Sequence, residues 1–397
     1  METGWIMEMF RGAGKLLIHP LFYYSFLLAL LVGYRRVKRE RKDFKIRIES
    51  GYFEMKNLLP LGLLIGIILS IASAAAGIVI PWASIILMAA VTFVLSCTMQ
   101  FRLLSPAYVI GITLFLVFVL FEKTIDIPYL GEAITQLDSP LVPGLAVVMG
   151  ALIIAEGILI QRNATKNTSP KLITSNRGLT VGAHETGRIW LVPLFLFLPG
   201  GEMTLPFEWW PVFSLGEEMA VTPIFVPIIF GYSQLVQAAL PKQAIKESGA
   251  KVIGLGILIL AVAIGSIWLP LLSIVAAALA ILGRELLYYS DRSSESSTTF
   301  YFTNKDHGVF ILGIIPASPA DKMGLQVGEV ITKVNGKLVS SESELYEALQ
   351  TNRAHCKLEV LGTNGEIRLV QKAVYEGEHH ELGILFVQDK GKVSLVS

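Results

Sequence analysis

Long apolar runs with few charges dominate this chain up to Tyr289 and are almost absent after it. A helical run of about 20 such residues spans a membrane, because a helix pairs its own backbone polar groups where no water is present. The 397 residues are 53% hydrophobic and only 16% charged, against roughly 25% charged in ordinary soluble domains. The sequence therefore predicts a multi-pass α-helical membrane protein with about eight spans, followed by a soluble region.

Nine segments are candidates for these spans. They are Leu16–Tyr34, Leu58–Ile80, Trp82–Met99, Pro106–Phe121, Leu141–Ile160, Ile189–Leu198, Met219–Leu240, Val252–Leu269 and Pro270–Tyr289. Ile189–Leu198 is short and stops at Pro-Gly-Gly, so it could be tilted, re-entrant or extended through the aromatic stretch at Trp209 and Trp210. Leu16–Tyr34 has His19-Pro20 near its start and could lie in the interface. The sequence leaves open whether these two segments cross the membrane.

Basic residues concentrate in alternate loops, and this sets the predicted orientation. Segments rich in Lys and Arg are 34–58, 161–188 and 241–251, whereas 122–140 and 199–218 are acidic. The positive-inside rule places the basic loops, and the region after Tyr289, in the cytoplasm. The basic run Arg35–Lys45 is also suited to binding anionic lipid, although a role as a topology anchor explains it equally well.

Catalytic and metal-binding patterns fail at specific positions. Arg188 stands where a zinc-binding helix that begins at His184-Glu185 would need its second histidine. Gly231–Leu235 lacks the second glycine of a nucleophile elbow. His379-His380 could touch a metal, although a solvated acidic loop is the simpler interpretation. We therefore predict that the protein is not an enzyme and that it holds no cofactor or metal.

Three further observations narrow the function. A net charge of +1, without a basic stripe interleaved with aromatics, gives no case for nucleic-acid binding. Cys97 and Cys356 lie in different regions, so a disulfide framework is not expected. Glu156 is a carboxylate well inside an apolar segment, which makes it a functional candidate. The interpretation that we favour is simpler: Glu156 lies about one turn from Arg162 and reaches the cytoplasmic boundary.

The composition changes at a polar Ser/Thr-rich stretch, SDRSSESSTT, which is suited to a tether. The predicted organisation is an N-terminal apolar segment with a basic loop (1–57), a membrane region (58–289), this linker (290–299), a folded domain (300–388) and a tail (389–397). Beyond the linker, short strand patterns alternate with turn and cap signals, which predicts a small α+β domain.

The stretch GVFILGIIPASPADKMGLQVGEVITKVNGKLVSSESELYEAL, from Gly308 to Leu349, combines several of these signals in one order. Ser318-Pro319 begins a helix, Gly324 supplies a left-handed stop, Asn335-Gly336 is a tight turn, and Ser341–Glu344 is a capping box. This arrangement resembles the PDZ domain family. The residues that we expect to determine the fold are Gly324, Gly328, Asn335 and Gly336.

The PDZ resemblance implies capture of an extended peptide by strand addition. We expect Leu345 and Leu349, on the capped helix, to bind this peptide. The carboxylate-binding loop that such domains carry ahead of their first strand is missing from Tyr301–His307. Glu381-Leu382-Gly383-Ile384 resembles that loop but follows the other elements, which fits only a permuted fold. Recognition of C-terminal carboxylates therefore stays open.

The whole chain resembles the MinJ family, the cell-division topological determinants of Bacillus-type bacteria. The resemblance is carried by HPLFYYSFLLALLVGYRRVKRERKDFKIRIES near the N-terminus, by the multi-span region and by the C-terminal PDZ domain. It implies a non-enzymatic adaptor at the cell poles and the division septum. In this family the adaptor bridges the polar scaffold DivIVA to MinD and so recruits the division inhibitor MinC.

The alternative is a PDZ-bearing membrane protein that regulates proteolysis, secretion or transport. A transporter is expected to carry several polar or broken sites within its spans. Here Glu156 and the Pro-rich segment Met219–Leu240 are the two hints of such sites. The sequence leaves the oligomeric state open, together with the region that binds each partner.

Overall fold

The computed structural model describes residues 2–121, 142–175, 177–203, 210, 212, 220–303, 308–351, 355–373 and 382–387. They form a large membrane module that ends at Ser297 and a small α+β domain that begins near Val309. The predicted loop 122–140, nearly all of the acidic loop after Met203, His379-His380 and the predicted tail 389–397 lie outside the described residues.

Among the described residues, seven α-helices make up the first part of the membrane module. They are α1 (Glu2–Ile18), α2 (Pro20–Phe44), α3 (Phe53–Asn57), α4 (Pro60–Ala76), α5 (Trp82–Cys97), α6 (Pro106–Phe121) and α7 (Pro143–Leu159). Three strands follow: β1 (Ser169–Thr174), β2 (Thr180–Met203) and β3 (Val221–Val236). Two long helices, α8 (Pro241–Gly265) and α9 (Leu272–Ser297), complete the module.

The described helices do not confirm eight helical spans. Four are long and apolar enough to cross a membrane: Phe53–Ala76, Pro143–Ala164, Pro241–Gly265 and Leu272–Ser297. Helices α1 and α2, bent by 47° at their junction, raise the number to five if they form one span. Helices α5 and α6 have 16 residues each, which corresponds to only about 24 Å at 1.5 Å per residue.

Two of the predicted helical spans are strands. Ile189–Leu198 lies in β2, and Met219–Leu240 contains β3, which pairs antiparallel with β2 to form a long hairpin. The physical reason is the composition of the two segments. Prolines at 193, 223 and 227 would break a helix, and a continuous apolar run does not distinguish a buried strand from a helix. About nine to eleven residues of strand cross the hydrocarbon core, so the short segment is long enough as a strand.

The outer edge of β2 is closed by helix α4 and by the residues just before and after it. The Leu191 amide donates to the Leu58 carbonyl at 3.0 Å, and the Phe195 amide donates to Ser70 Oγ at 2.9 Å. Further along, the Phe197 amide donates to the Ile78 carbonyl at 3.1 Å. This pairing matters because an unpaired backbone group in an apolar environment costs several kcal/mol.

Prolines and glycines complete this closure. Pro193 follows Leu191 on the outward-facing edge, and the register places it opposite Pro227 of β3, so neither strand has an outward N–H there. Gly62 and Gly66 of α4 lie against the carbonyls of Leu191 and Pro193, where a Cβ atom would collide with each oxygen. The hairpin therefore packs inside the helices, with its inner residues part of the main hydrophobic core.

Glu156 does not reach the cytoplasmic boundary beside Arg162, contrary to the interpretation favoured above. It is fully buried, and its carboxylate accepts from Arg284 Nη2 of α9 at 2.8 Å and from Ser105 Oγ at 2.5 Å. Three separate segments therefore meet at this carboxylate. The sequence could not predict the pair, because its partners lie 51 and 128 residues away.

The Ser/Thr-rich stretch is also different from the expected tether, because α9 continues through it to Ser297. The side chain of Glu295 stabilises this helical end, since its Oε2 accepts from the amides of Gln237 and Ala238 at 2.7 and 2.8 Å. Ser296 and Ser297 hydroxyls donate to backbone carbonyls one turn earlier, which satisfies these polar side chains within the helix.

The C-terminal domain consists of short strands and two helices. They are β4 (Val309–Phe310), β5 (Gly313–Ile314), α10 (Pro319–Lys322), β6 (Val330–Val334), β7 (Lys337–Leu338), α11 (Glu342–Gln350), β8 (His355–Leu361), β9 (Ile367–Ala373) and β10 (Ile384–Leu385). The order β4-β6-β8-β9 forms the main sheet, with β7 beside β6, and β10 pairs with β5 in a second sheet. A separate core lies between them.

This domain packs directly against the membrane module. The Gly182 amide of β2 donates to the Phe302 carbonyl at 2.9 Å, and the Tyr301 amide donates to the Gln237 carbonyl at 2.9 Å. An apolar cluster joins the two sides; it contains Leu172, Phe302, Phe310, Leu312, Val330 and Val387. The domain is therefore docked through backbone hydrogen bonds and a buried apolar contact.

Candidate peptide-binding groove

The segment Leu382–Val387, which contains β10 and is called the groove strand below, forms one side of the candidate groove. It runs antiparallel to β5, with the Ile315 amide donating to the Gly383 carbonyl at 2.8 Å and the Leu312 amide donating to the Leu385 carbonyl at 2.9 Å. Residues alternate in the direction of their backbone groups along such a strand. The N–H and C=O of Ile384 therefore face away from β5.

Helix α11 forms the other side. Ser341 caps it by accepting from the Glu344 amide at 3.3 Å, as the capping-box pattern predicts. Its C-terminal end is held by Asn335, whose side-chain amide donates to the Ala348 carbonyl at 3.1 Å. The same Asn335 side chain accepts from the Lys357 amide at 3.0 Å. One turn residue therefore connects the helix to the main sheet.

Leu345 and Leu349, the predicted peptide-binding residues, lie between helix and strand. Leu345 is 0% exposed and Leu349 is 8% exposed, and both belong to the core cluster that contains Leu382, Ile384 and Phe386. The structure thus places the predicted helix residues in the same apolar core as the C-terminal strand. In this arrangement the apolar side chains fill the space between them, so a peptide reaches Leu345 only if α11 moves away from the strand.

The location of Leu382-Gly383-Ile384 bears on the alternative left open by the sequence. Although these residues follow β9 in the chain, they lie beside β5 at the start of the groove strand, which is the arrangement of a permuted fold. Gly383 has φ +78°, and a Cβ atom at this position would collide with Ser318. Glycine is therefore required in this loop, as in a carboxylate-binding turn. Of this loop the structure describes Leu382 onward.

The four residues expected to determine the fold all have positive φ: 69° at Gly324, 95° at Gly328, 50° at Asn335 and 85° at Gly336. Their necessity for folding stays a prediction. The loop between the first two is fixed by Glu329, which is buried and accepts from Arg368 through both carboxylate oxygens at 3.0 and 2.8 Å. Arg368 also donates to the Gly324 carbonyl at 2.7 Å.

His184 has a role that the sequence did not indicate. It is buried, its Nε2 lies 2.8 Å from the Leu312 carbonyl of the PDZ-like domain, and its Nδ1 lies 2.9 Å from Thr168 Oγ1. Burial lowers the pKa of His184 to about 4, although the two hydrogen bonds oppose this shift. His184 is therefore a neutral contact between the membrane module and the domain. It contacts Leu312, the residue just before β5, and β5 is the strand that pairs with the groove strand.

Glu185 points elsewhere and does not form a site with His184. Its burial disfavours the charge, but ion pairs with Arg39 and Lys171, both at 2.7 Å, outweigh this effect and lower its pKa. Cys356 is buried in the domain core, and burial raises the pKa of its thiol to about 11, which disfavours the nucleophilic thiolate. The described contacts of His184, Glu185 and Cys356 are therefore structural.

Comparison with known proteins extends over both regions of the chain. It is 40% identical over 391 residues to the cell division topological determinant MinJ of Bacillus subtilis (strain 168), which covers 98% of this chain and 97% of that protein. It is 25% identical over 386 residues to a probable cell division topological determinant MinJ of Lacticaseibacillus paracasei, with 94% and 98% covered.

The C-terminal domain has similarities of its own. The family model described as a PDZ domain matches residues 310–361. The chain is 37% identical over 59 residues to the mitochondrial serine protease HTRA2 of Drosophila ananassae, which covers 15% of this chain and 14% of the protease. No solved structure matches the chain significantly.

Proposed function

Because this chain belongs to the MinJ family of cell division topological determinants, we propose that it is a non-enzymatic membrane adaptor that bridges a DivIVA-like polar scaffold to MinD. Through this bridge the division inhibitor formed by MinC and MinD is placed at cell poles and division sites. The observation that carries the proposal is the extent of the similarity to MinJ of Bacillus subtilis, which covers 98% of this chain and includes both the membrane module and the PDZ domain.

The geometry supports an adaptor because strand addition in this groove would bind a peptide without a catalytic step. An extended peptide segment adds as a strand beside Ile384, and its side chains enter the apolar space that Leu345 and Leu349 now fill. The docked position of the domain, beside the basic segments 34–58 and 161–188 of the module, supports placement of the groove in the cytoplasm. The membrane module then keeps the groove at the membrane surface, where the division machinery assembles.

The alternative function, regulation of proteolysis, secretion or transport, has weaker support. The similarity to the serine protease HTRA2 is confined to 59 residues and therefore concerns a peptide-binding domain alone. Glu156, one of the two hints of a transport site, is paired with Arg284 and Ser105. Met219–Leu240, the other hint, contains strand β3 of the packed hairpin.

Deletion of the gene in its own host tests the proposal. We expect elongated cells in which MinD is no longer concentrated at division sites, because the link between the scaffold and MinD is lost. A fluorescent fusion of the intact chain should be enriched at septa and poles. Normal cell length together with unchanged MinD placement would count decisively against the adaptor function.

A groove variant makes this test specific. Ile384→Pro removes the N–H that faces away from β5, so an added peptide strand loses a main-chain donor. We expect the variant to remain in the membrane but to restore MinD placement poorly in the deletion strain. Ile384→Val, which keeps the N–H and a β-branched side chain, is the matched control and should restore placement fully. Resistance of both variants to proteolysis verifies that the domain stays folded.

A further inference from the structure

A basic cavity of about 330 Å³ lies in the membrane module on the side where the PDZ domain docks. Its cationic lining residues are Arg35, Arg36, Arg39, Lys171 and Arg188. This basic cavity is separate from the peptide groove, and its cationic residues belong to α2, β1 and β2.

The sequence places the basic cavity at the level of lipid headgroups. The apolar segment of α2 ends at Tyr34, immediately before Arg35. The apolar segment of β2 begins at Ile189, immediately after Arg188. Both elements therefore change from apolar to charged residues at the cavity. Such a change is expected where a chain passes from the hydrocarbon core into the headgroup region.

The cations of the basic cavity exceed the carboxylates that neutralise them. Arg36 and Arg188 both donate to the same oxygen of Glu54, at 2.6 and 2.8 Å. Arg39 and Lys171 share Glu185. Even with Glu40, which lies 3.5 Å from Arg36, five cationic side chains face three carboxylates. Arg35 is exposed and forms no ion pair with any residue in the described ranges.

Two donors of these arginines have no partner in the described part of the chain. The Nε atoms of Arg39 and Arg188 are buried and make no hydrogen bond there, whereas Arg36 Nε has only its 3.5 Å ion pair with Glu40. The guanidinium groups of Arg36 and Arg188 also lie over the ring of Phe53, 5.0 and 4.7 Å from its centre, which fixes their planes. Guanidinium groups held in this way present forked donors that match the oxygens of a phosphate.

Part of the remaining lining of the basic cavity is apolar, although polar residues line it as well: Glu54, Asn167, Ser169, Glu185, Thr186 and Ser233. Val32 and Phe101 are buried members of the hydrophobic cluster around α2, and Met99 is partly exposed beside them. A cationic end next to an apolar wall suits an amphipathic ligand better than a free ion. We propose that the basic cavity binds a phosphate-bearing ligand, of the kind that an anionic phospholipid presents at the cytoplasmic surface of the membrane.

Lipid binding to the full-length purified protein tests this proposal. Native mass spectrometry in detergent would compare phosphatidylglycerol with phosphatidylcholine, and thermal unfolding would be followed with each. We expect phosphatidylglycerol to bind one to one and to raise Tm more than phosphatidylcholine does. The double variant Arg35→Gln/Arg39→Gln should lower the affinity for phosphatidylglycerol roughly tenfold or more, since each basic residue at the surface contributes substantially to anionic lipid binding.

The matched control is Arg41→Gln/Lys42→Gln. It removes the same charge from exposed positions on α2 that do not line the basic cavity, and its affinity should change less than about twofold. The single variant Arg35→Gln, which breaks no ion pair among the described residues, should weaken binding about fivefold even if the double variant unfolds.

A parallel experiment with soluble glycerol 3-phosphate distinguishes a lipid headgroup from a free phosphate compound as the source of the phosphate. If glycerol 3-phosphate raises Tm and displaces phosphatidylglycerol, the cavity binds the phosphate from either source. If it does neither while the lipid binds, the acyl chain is required as well. Both outcomes support the proposal. It is overturned if neither compound binds, or if the control variant loses as much affinity as Arg35→Gln/Arg39→Gln, which would indicate diffuse surface attraction.

Discussion

The hairpin β2–β3 and the groove strand Leu382–Val387 are both covered by helices, but the covers differ in kind. The edge of β2 is bound to its surroundings by backbone hydrogen bonds and by the close approach of Gly62 and Gly66. The edge of the groove strand faces α11, and in the described residues no backbone hydrogen bond joins the two. Apolar side chains such as Leu345 fill the space instead.

This difference follows from the environment of each strand. Inside a membrane module no water replaces a lost partner, so every backbone donor on the β2 edge must be paired or removed, as Pro193 removes one. At the PDZ domain, a peptide can satisfy the outward-facing donors of the groove strand once α11 has moved away from it. A cover made only of apolar contacts can be displaced by a ligand at a modest free-energy cost. The first cover is therefore permanent, and the second can open.

The largest effect is expected from breaking the permanent cover. In Gly62→Leu the new Cβ would collide with the Leu191 carbonyl, and the helix cannot withdraw without losing the hydrogen bonds to the β2 edge. We expect the yield of monodisperse protein from membranes to fall roughly tenfold or more, since overpacking against backbone is poorly accommodated. Size-exclusion chromatography of the extracted protein measures this.

Gly254→Leu is the control for this variant. Gly254 lies on α8, and a Cβ atom added there would have no heavy atom within 4 Å, so the same change in hydrophobicity and volume meets open space. Its yield should equal that of the unmodified chain. Equal loss in both variants would show that the substitution of a membrane glycine, and not closure of the β2 edge, is responsible.

An intermediate effect is expected from Leu345→Lys, in the cover of the groove. Because Leu345 is completely buried, the lysine places an unpaired charge in the domain core, which should unfold the PDZ domain. Gly324→Val should destabilise it less, by about 1–2 kcal/mol from the left-handed conformation. Glu347→Lys, exposed on the same helix, should leave it folded. Thermal unfolding and proteolysis of the full chain rank the variants; a folded Leu345→Lys would indicate that the residue lines an accessible groove.

The smallest effect concerns His184, which connects the two regions. The pKa of the docked histidine, about 4, is below the value of 6.5 expected once the domain separates and water reaches the ring. The separated state therefore takes up a proton between these values, so docking is strongest above pH 6.5 and weakens as the pH falls toward 4. At pH 5.5 the docking equilibrium should shift about tenfold toward separation.

Fluorescence energy transfer between dyes on the module and the PDZ domain measures this shift at pH 7.5 and 5.5. His184→Gln is the matched variant, because its amide nitrogen can still donate to the Leu312 carbonyl but does not titrate in this range. It should remove most of the pH dependence while preserving docking at pH 7.5. A pH dependence that persists in His184→Gln would assign the titration to another group.

The local signals of the PDZ domain allowed its fold to be predicted. Pro319 at the first helical position, the cap at Ser341 and the turn at Asn335-Gly336 each specify a conformation through their own backbone chemistry. The groove was only partly predictable. The similarity of Glu381–Ile384 to a carboxylate-binding loop was visible, but its pairing with β5 depends on a contact across about seventy residues of chain, which matches the register Ile384↔Ile314.

For the membrane module, the sequence predicted the environment of the chain but not its secondary structure. Its apolar composition determined by itself that the chain enters a membrane, because burying that much apolar surface leaves few other choices. It did not determine which segments are helices, since Ile189–Leu198 is equally apolar in either conformation. The tertiary structure decided this, because α4 supplies the partners that a strand needs at its edge. The same holds for Glu156 with Arg284 and for His184 with Leu312: a buried polar group is stable only beside its partner, and the chain brings those partners together only when it folds.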